Sequence, residues 1–144
     1  MSDGMQPVGL ALIVCDAIYQ DQATGKRTLL GTFSAIYAPE FPVIVPSFAV
    51  YAVLTDCRGI VPLVVRVVDV NEEREPVATV EETADDPDPL AVVELEFRFT
   101  DLEFPAAGEY SVQLLSQGAI VSERRITLGI LPDQPTEEGT SDEQ

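Results

Sequence analysis

The sequence predicts an all-β protein, an immunoglobulin-like antiparallel β-sandwich of about eight strands. Three observations carry that prediction. Apolar residues recur nowhere at helical spacing over a long window, so no helix is expected. In "VELEFRFT", Val93, Leu95, Phe97 and Phe99 alternate with Glu94, Glu96, Arg98 and Thr100, the pattern of a strand with one wet face. Turn-forming clusters then punctuate the chain at short intervals, as in sandwiches and barrels.

The first strand is expected at 9–19, an apolar run closed by "QDQATGK". The second, 27–37, follows Gly25, which is free to take positive φ in a hairpin turn. Strands at 48–55 and 61–70 flank "TDCRG", and both are apolar on two faces. Phe48, Val50, Ala52 and Leu54 alternate with Ala49, Tyr51 and Val53, while "IVPLVVRVVDV" is broken outward only by Arg66. "DVNEERE" precedes a strand at 76–82, and "ADDPDP" precedes one at 91–100. "FPAAG" leads into 109–116, and "SQG" turns that strand into the last, 120–130. Tyr110 stands in a Gly-x-Tyr start, where sandwiches place a tyrosine that bonds backbone at a corner; a half-buried core tyrosine is the alternative.

The 144 residues fit one domain, with 8–131 as the sandwich, 1–7 as a flexible N-terminus and 132–144 as a disordered acidic tail. Net charge is −17, with Lys26 the single lysine. Nucleic acid and anionic membrane surfaces are therefore excluded as partners, since both need a basic surface. Eight acids against Arg74 give residues 72–88 a net −7, and the tail carries −5. The N-terminal run "MSDGMQPVGLALIVCDA" lacks a basic leader and is too short to cross a bilayer, which points to the cytoplasm. Cys15 and Cys57 read as two buried thiols in a reducing compartment, with a single bridge between strands as the alternative.

"YAPEFPVIVPSF", residues 37–48, is apolar yet broken by Pro39, Pro42 and Pro46, which oppose helix and ladder alike. Two doubly apolar strands need a cover on their outer faces. Residues 37–46 are expected to cross the sandwich and pack over one of these faces or an edge, and where they fall short a partner or second copy would supply the cover. Tyr37, Phe41, Val43, Ile44, Val45, Phe48 and Tyr51 are the candidate interaction residues.

No catalytic site is expected. Histidine is absent, which removes the commonest general base, the usual triads and most zinc sites. "TGKRT" fails as a phosphate loop, because Gln20 stands where the leading glycine belongs and Arg27 replaces the Ser or Thr. Glu94 and Glu96 have a glycosidase pair's chemistry but only the spacing of any wet strand face. Asp85, Asp86 and Asp88 offer hard oxygens for calcium in a loop between strands, and a solvated acidic loop is the bland alternative.

"CDAIYQDQATGKRTLLGTFSAIY" resembles the opening of an uncharacterised bacterial family of small cytoplasmic proteins. The residues that carry the resemblance are Cys15-Asp16, Asp21, Gly25-Lys26, Leu30-Gly31 and Phe33, and "GEYSVQLL" is similar to the family's closing hairpin. The resemblance implies an immunoglobulin-like sandwich and no catalytic residue. The functional expectation is a non-enzymatic protein-interaction or structural module without a cofactor, binding a protein partner or itself. The alternative is a calcium- or small-ligand-binding sandwich using the 85–88 loop.

Overall fold

The computed structural model describes residues 6–71 and 73–132. Nine strands follow one another with no helix among the described residues: β1 (Val8–Gln20), β2 (Arg27–Thr32), β3 (Ala35–Ala38), β4 (Val43–Thr55), β5 (Ile60–Asp69), β6 (Ala78–Asp85), β7 (Val93–Phe104), β8 (Gly108–Ser116) and β9 (Ala119–Ile130). They form a four-stranded sheet, β2-β1-β4-β7, and a five-stranded sheet, β3-β9-β8-β5-β6, the second curled like half a barrel. Every pairing is antiparallel except β3 with β9. No helix among the described residues is long and apolar enough to cross a membrane.

The expected strand 27–37 is two strands in different sheets. β2 pairs with β1; the chain then turns inward at Phe33, whose amide donates to the Val14 carbonyl. The Phe33 ring meets Phe48 edge-on at 5.7 Å, and β3 emerges on the edge of the other sheet beside β9. An aromatic residue that plugs the core is thus the point where the chain changes sheet.

Two further boundaries move for one reason. β4 begins at Val43 and β7 runs to Phe104, because both strands shift phase together. Val45 pairs with Leu102 and Ser47 with Thr100, so Pro46 stands opposite Asp101, whose φ is +54°. Pro46, Ser47, Thr100 and Asp101 are all exposed, and the inward set resumes at Leu102 and Phe104. Strict alternation therefore fails at residue 100 while the ladder continues. Pro46 is tolerated because the pairing of β4 with β1 reaches only to Ala49, leaving this end of β4 a free edge.

The main core lies between the sheets and includes Val14, Phe48, Val50, Leu54, Leu63, Val65, Phe97, Phe104, Tyr110, Leu114, Ile126 and Leu128. Phe48 contacts Phe99 edge-on, and Phe104 meets Tyr110 in the same way at 5.0 Å. Tyr110 is buried and its hydroxyl donates to the Ala106 carbonyl at 2.7 Å, so it is a core residue and makes a corner bond at once. The free thiol Cys57 belongs to this core, and Cys15, also free, does not. Pro7 is buried, which takes it out of the expected flexible end; residues 1–5 and 133–144 lie outside the described residues.

Candidate functional site: the outer face of the four-stranded sheet

β1 pairs with β4 only as far as Cys15↔Ala49; beyond that point it pairs with β2 alone. In a flat sheet β2 and β7 would stand about 14 Å apart, three strand spacings. Yet Arg27 of β2 reaches β7 directly, with Nε 2.5 Å from Glu96 and Nη1 2.6 Å from Glu94. Arg98 of β7 donates to the Ile18 carbonyl of β1 at 3.1 Å, bypassing β4. The β1–β2 hairpin therefore folds back over the outer face of its own sheet. Under it lies a second, small apolar cluster: Cys15, Ile18 and Ala49, with Leu29 and Tyr51 half-buried against them.

The hairpin's sequence explains its shape. The Thr24 amide and hydroxyl donate to the Asp21 carboxylate at 3.0 and 2.6 Å, and these bonds hold that carboxyl below its usual range. Gly25, at φ +76°, donates to the Asp21 carbonyl and closes the turn, which disposes of the phosphate-loop likeness. Gly31, at φ +69°, lies against the Asp16 side chain, where a Cβ would collide. Cys15-Asp16, Asp21, Gly25 and Gly31, picked out by resemblance, are thus the residues that bend and close this hairpin.

Charge pins it. Burial raises Glu96, but hydrogen bonds from Arg98 and Arg27 outweigh this and hold the carboxyl below its usual range. The bond to Glu96, and after it the bond to Glu94, raises Arg27. Burial, then the neighbouring Glu94 carboxylate, pushes Tyr51 up. A glycosidase acid needs a raised pKa and a free carboxyl, whereas Glu94 and Glu96 are both held by Arg27 and Glu96 is lowered.

The cover is partial. Past the hairpin, Ala11, Ile13 and Val53 share the outer face and stay half-exposed, with Ile13 opposite Tyr51 and Ala11 opposite Val53. Val8, opposite Thr55, is 48% exposed, and Val92, just before β7, is 58% exposed. Leu10, the extra residue at a bulge in β1, is exposed as well. Acidic groups border this end: Asp56, paired with Arg58 at 2.8 Å, and the loop with Asp86 and Asp88.

The proposed interaction residues are not brought together. Phe48 is sealed in the main core and leaves the surface set. Phe41, Val43 and Val45 are half-buried against that core, so the 37–48 segment packs on its own sandwich. It does not cross an outer face; Tyr37 and Ala38 lie in β3, at the edge of the five-stranded sheet, and β4 starts at Val43. Tyr51 lies in the second cluster. Tyr37 and Ile44 are exposed on different sheets, and a Cβ on Gly129 would stand 2.5 Å from the Tyr37 ring. The open strip of Val8, Ala11, Ile13 and Val92 was missed, although period-two alternation from Val14 outward could have marked part of it.

The other outer face mixes a polar network with the apolar side chains of Val64, Val68 and Leu115. Arg66 donates to Gln113 at 2.7 Å, and Gln113 and Ser111 donate to Glu123 at 3.1 and 2.6 Å. The bonds from Ser111 and Gln113 lower the Glu123 carboxyl. In the 85–88 loop, the Asp86 carboxylate accepts the Asp88 amide and the Asp88 carboxylate accepts the Leu90 amide, each at 2.9 Å. No three Asp, Glu, Cys or His side chains among the described residues stand close enough to hold a metal ion. A hollow of about 290 Å³ at the β5–β6 turn is lined by Asp69, Asn71, Arg74 and Glu109, and the Asp69 carboxylate there already accepts from the Glu73 amide and Arg74.

These features define an all-β, two-sheet protein whose distinguishing part is a hairpin folded over its own sheet. The family is shown directly: the chain belongs to DUF6941, a family of unknown function, whose model matches residues 10–129. That span takes in the hairpin, the open strip from Leu10 onward and Tyr110. Among curated proteins, no sequence matches it.

Proposed function

We propose that this protein is a non-enzymatic protein-interaction module. It docks a partner on the open end of the four-stranded sheet's outer face. The observation that carries the reading is the strip of Val8, Ala11, Ile13, Val53 and Val92, apolar, partly exposed and left bare beside a hairpin that covers the rest of the face. At net −17 a second copy is repelled, so the fitting partner is a protein segment with apolar side chains and a basic flank.

The scaffold is an immunoglobulin-like sandwich in this reading. β1, β4 and β7 correspond to strands A, B and E, and β5, β8 and β9 to C, F and G. Tyr110, near the start of β8, takes the corner role; two residues on, where antibody domains place a disulfide cysteine, stands the buried Val112. The setting its resemblance implies is a bacterial cytoplasm, and two buried free thiols fit a reducing one.

The test is capture of proteins from a cell extract by the immobilised chain and by a Val8→Asp, Val92→Asp variant. Both positions are substantially exposed, so the variant should melt like the parent and lose the captured proteins. Identical capture by the two would sink the reading.

A further inference from the structure

The hairpin hides the half of the outer face that continues the open strip. Its attachment is unlike that of any strand between the sheets. From Asp16 to Thr32 it contributes to the second cluster only Ile18 and Leu29, with Cys15 at its base. Its remaining ties to the face are side-chain bonds: Arg27 to Glu94 and Glu96, Arg98 to the Ile18 carbonyl, and the Ser47 hydroxyl to the Asp16 carbonyl at 2.6 Å. Its own backbone bonds, β1 to β2 and the Asp21–Lys26 turn, are internal and survive its lifting. The point of departure is sharp: Cys15 pairs with both Ala49 and Thr32, and beyond it β1 pairs with β2 alone.

We propose that the β1–β2 hairpin is an autoinhibitory cover that lifts as a unit about Cys15–Asp16 while the sandwich stays folded. Local opening of this kind follows where few apolar contacts and exposed polar bonds hold an element that is internally complete. Lifting bares Ala49 and Tyr51 next to Ile13 and Val53, so the strip becomes continuous along β4. It also leaves Glu94 and Glu96 without Arg27. The enlarged face is apolar and acidic, the same complement to a basic, apolar segment as the open end; in this the proposal rests on the interaction reading. A partner that supplies its own cation to the two glutamates competes with Arg27 for them.

The two cysteines make the test internal. Cys15 lies under the hairpin and Cys57 in the main core; both are fully buried, and burial raises both thiols. Labelling with an aromatic disulfide is followed on Cys57→Ser, which leaves Cys15, and on Cys15→Ser, which leaves Cys57. In native buffer Cys15 should react about tenfold faster than Cys57 or more, because local opening is more frequent than global unfolding. Adding Arg27→Ala should quicken Cys15 by a further several-fold and leave Cys57 unchanged. A common rate for both thiols, or an equal response of both to Arg27→Ala, overturns the proposal. Should Cys15→Ser not fold, partial labelling of the unaltered chain followed by peptide mass mapping reads the same event: label must appear on Cys15 well before Cys57, and equal labelling of the two overturns it. Cys15 reports lifting without any partner, so the cover and the docking reading can fail separately.

Discussion

Between the sheets, Phe48, Phe97, Phe104 and Tyr110 interlock with aliphatic side chains from both layers, and at the rim Arg124 reaches across only to the Leu12 carbonyl, at 3.5 Å. Under the β1–β2 hairpin, Cys15, Ile18 and Ala49 are just as dry, but Leu29 and Tyr51 are half-exposed and Arg27, Glu96 and Arg98 form the lid. The first region is held by area, the second by a few side chains under a charged roof. Area-based burial is insensitive to salt and mild acid, whereas ion pairs are sensitive to both. Two regions equally closed to water therefore differ in what opens them.

The largest effect should come from the main core. Phe48→Ala removes a ring that touches Phe33 and Phe99 and should cost about 3–5 kcal/mol. Denaturant melts check this, and Cys15 and Cys57 should then become reactive together. A smaller cost falls on the second cluster. Ile18→Ala should cost about 2 kcal/mol, the low end for such a change, because part of its surroundings can collapse. It should quicken labelling of Cys15 more than that of Cys57; equal quickening would merge the two regions into one.

Acid gives the next contrast. Glu96 is held below its usual range in the folded protein, so the unfolded chain binds its proton first. Its stabilisation is present above the unfolded value of about 4.3 and is lost as pH falls from there through the lower folded one. Tyr51 fluorescence should change in that window before the main core melts, and Glu96→Gln should remove the change. A single transition shared by all probes, kept by Glu96→Gln, would contradict it. The smallest effect sets the floor: millimolar calcium should move Tm no more in the parent than in a chain with Asp85, Asp86 and Asp88 changed to Asn. A shift confined to the parent would revive a calcium site, since a ligand stabilises by mass action.

Much of the fold was legible because alternation and turn chemistry are local. Val93–Phe99 gave β7, "SQG" gave the β8–β9 turn, with Gly118 at φ +83°, and Tyr110 was marked by its glycine. What was not legible depends on partners distant in the chain. Arg27 reads as an ordinary surface charge until β7 comes under it. Phe33 reads as one more strand residue until the core draws it in and parts β2 from β3. The apolar side chains of 37–46 make that segment the expected cover for the doubly apolar strands. Phe41, Val43, Val45 and Phe48 of that region face the main core, and a longer, more polar hairpin does the covering. The hydrophobic demand is legible in Ala49, Tyr51 and Val53, while the element that answers it is identified by contacts distant in the chain, such as the Arg27–Glu96 salt bridge across sixty-nine residues.

The shared phase shift of β4 and β7 constrains how these strands can change length. Pro46-Ser47 and Thr100-Asp101 lie opposite one another, and each strand returns to the core only because the other turns outward at the same rung. Removing one residue from either strand alone would invert every side chain beyond the gap, sending Phe104 or Val43 to solvent. Insertions and deletions at these two places are therefore tolerated only as matched events. In an alignment of related chains, a gap near residue 46 should be accompanied by a gap near residue 101.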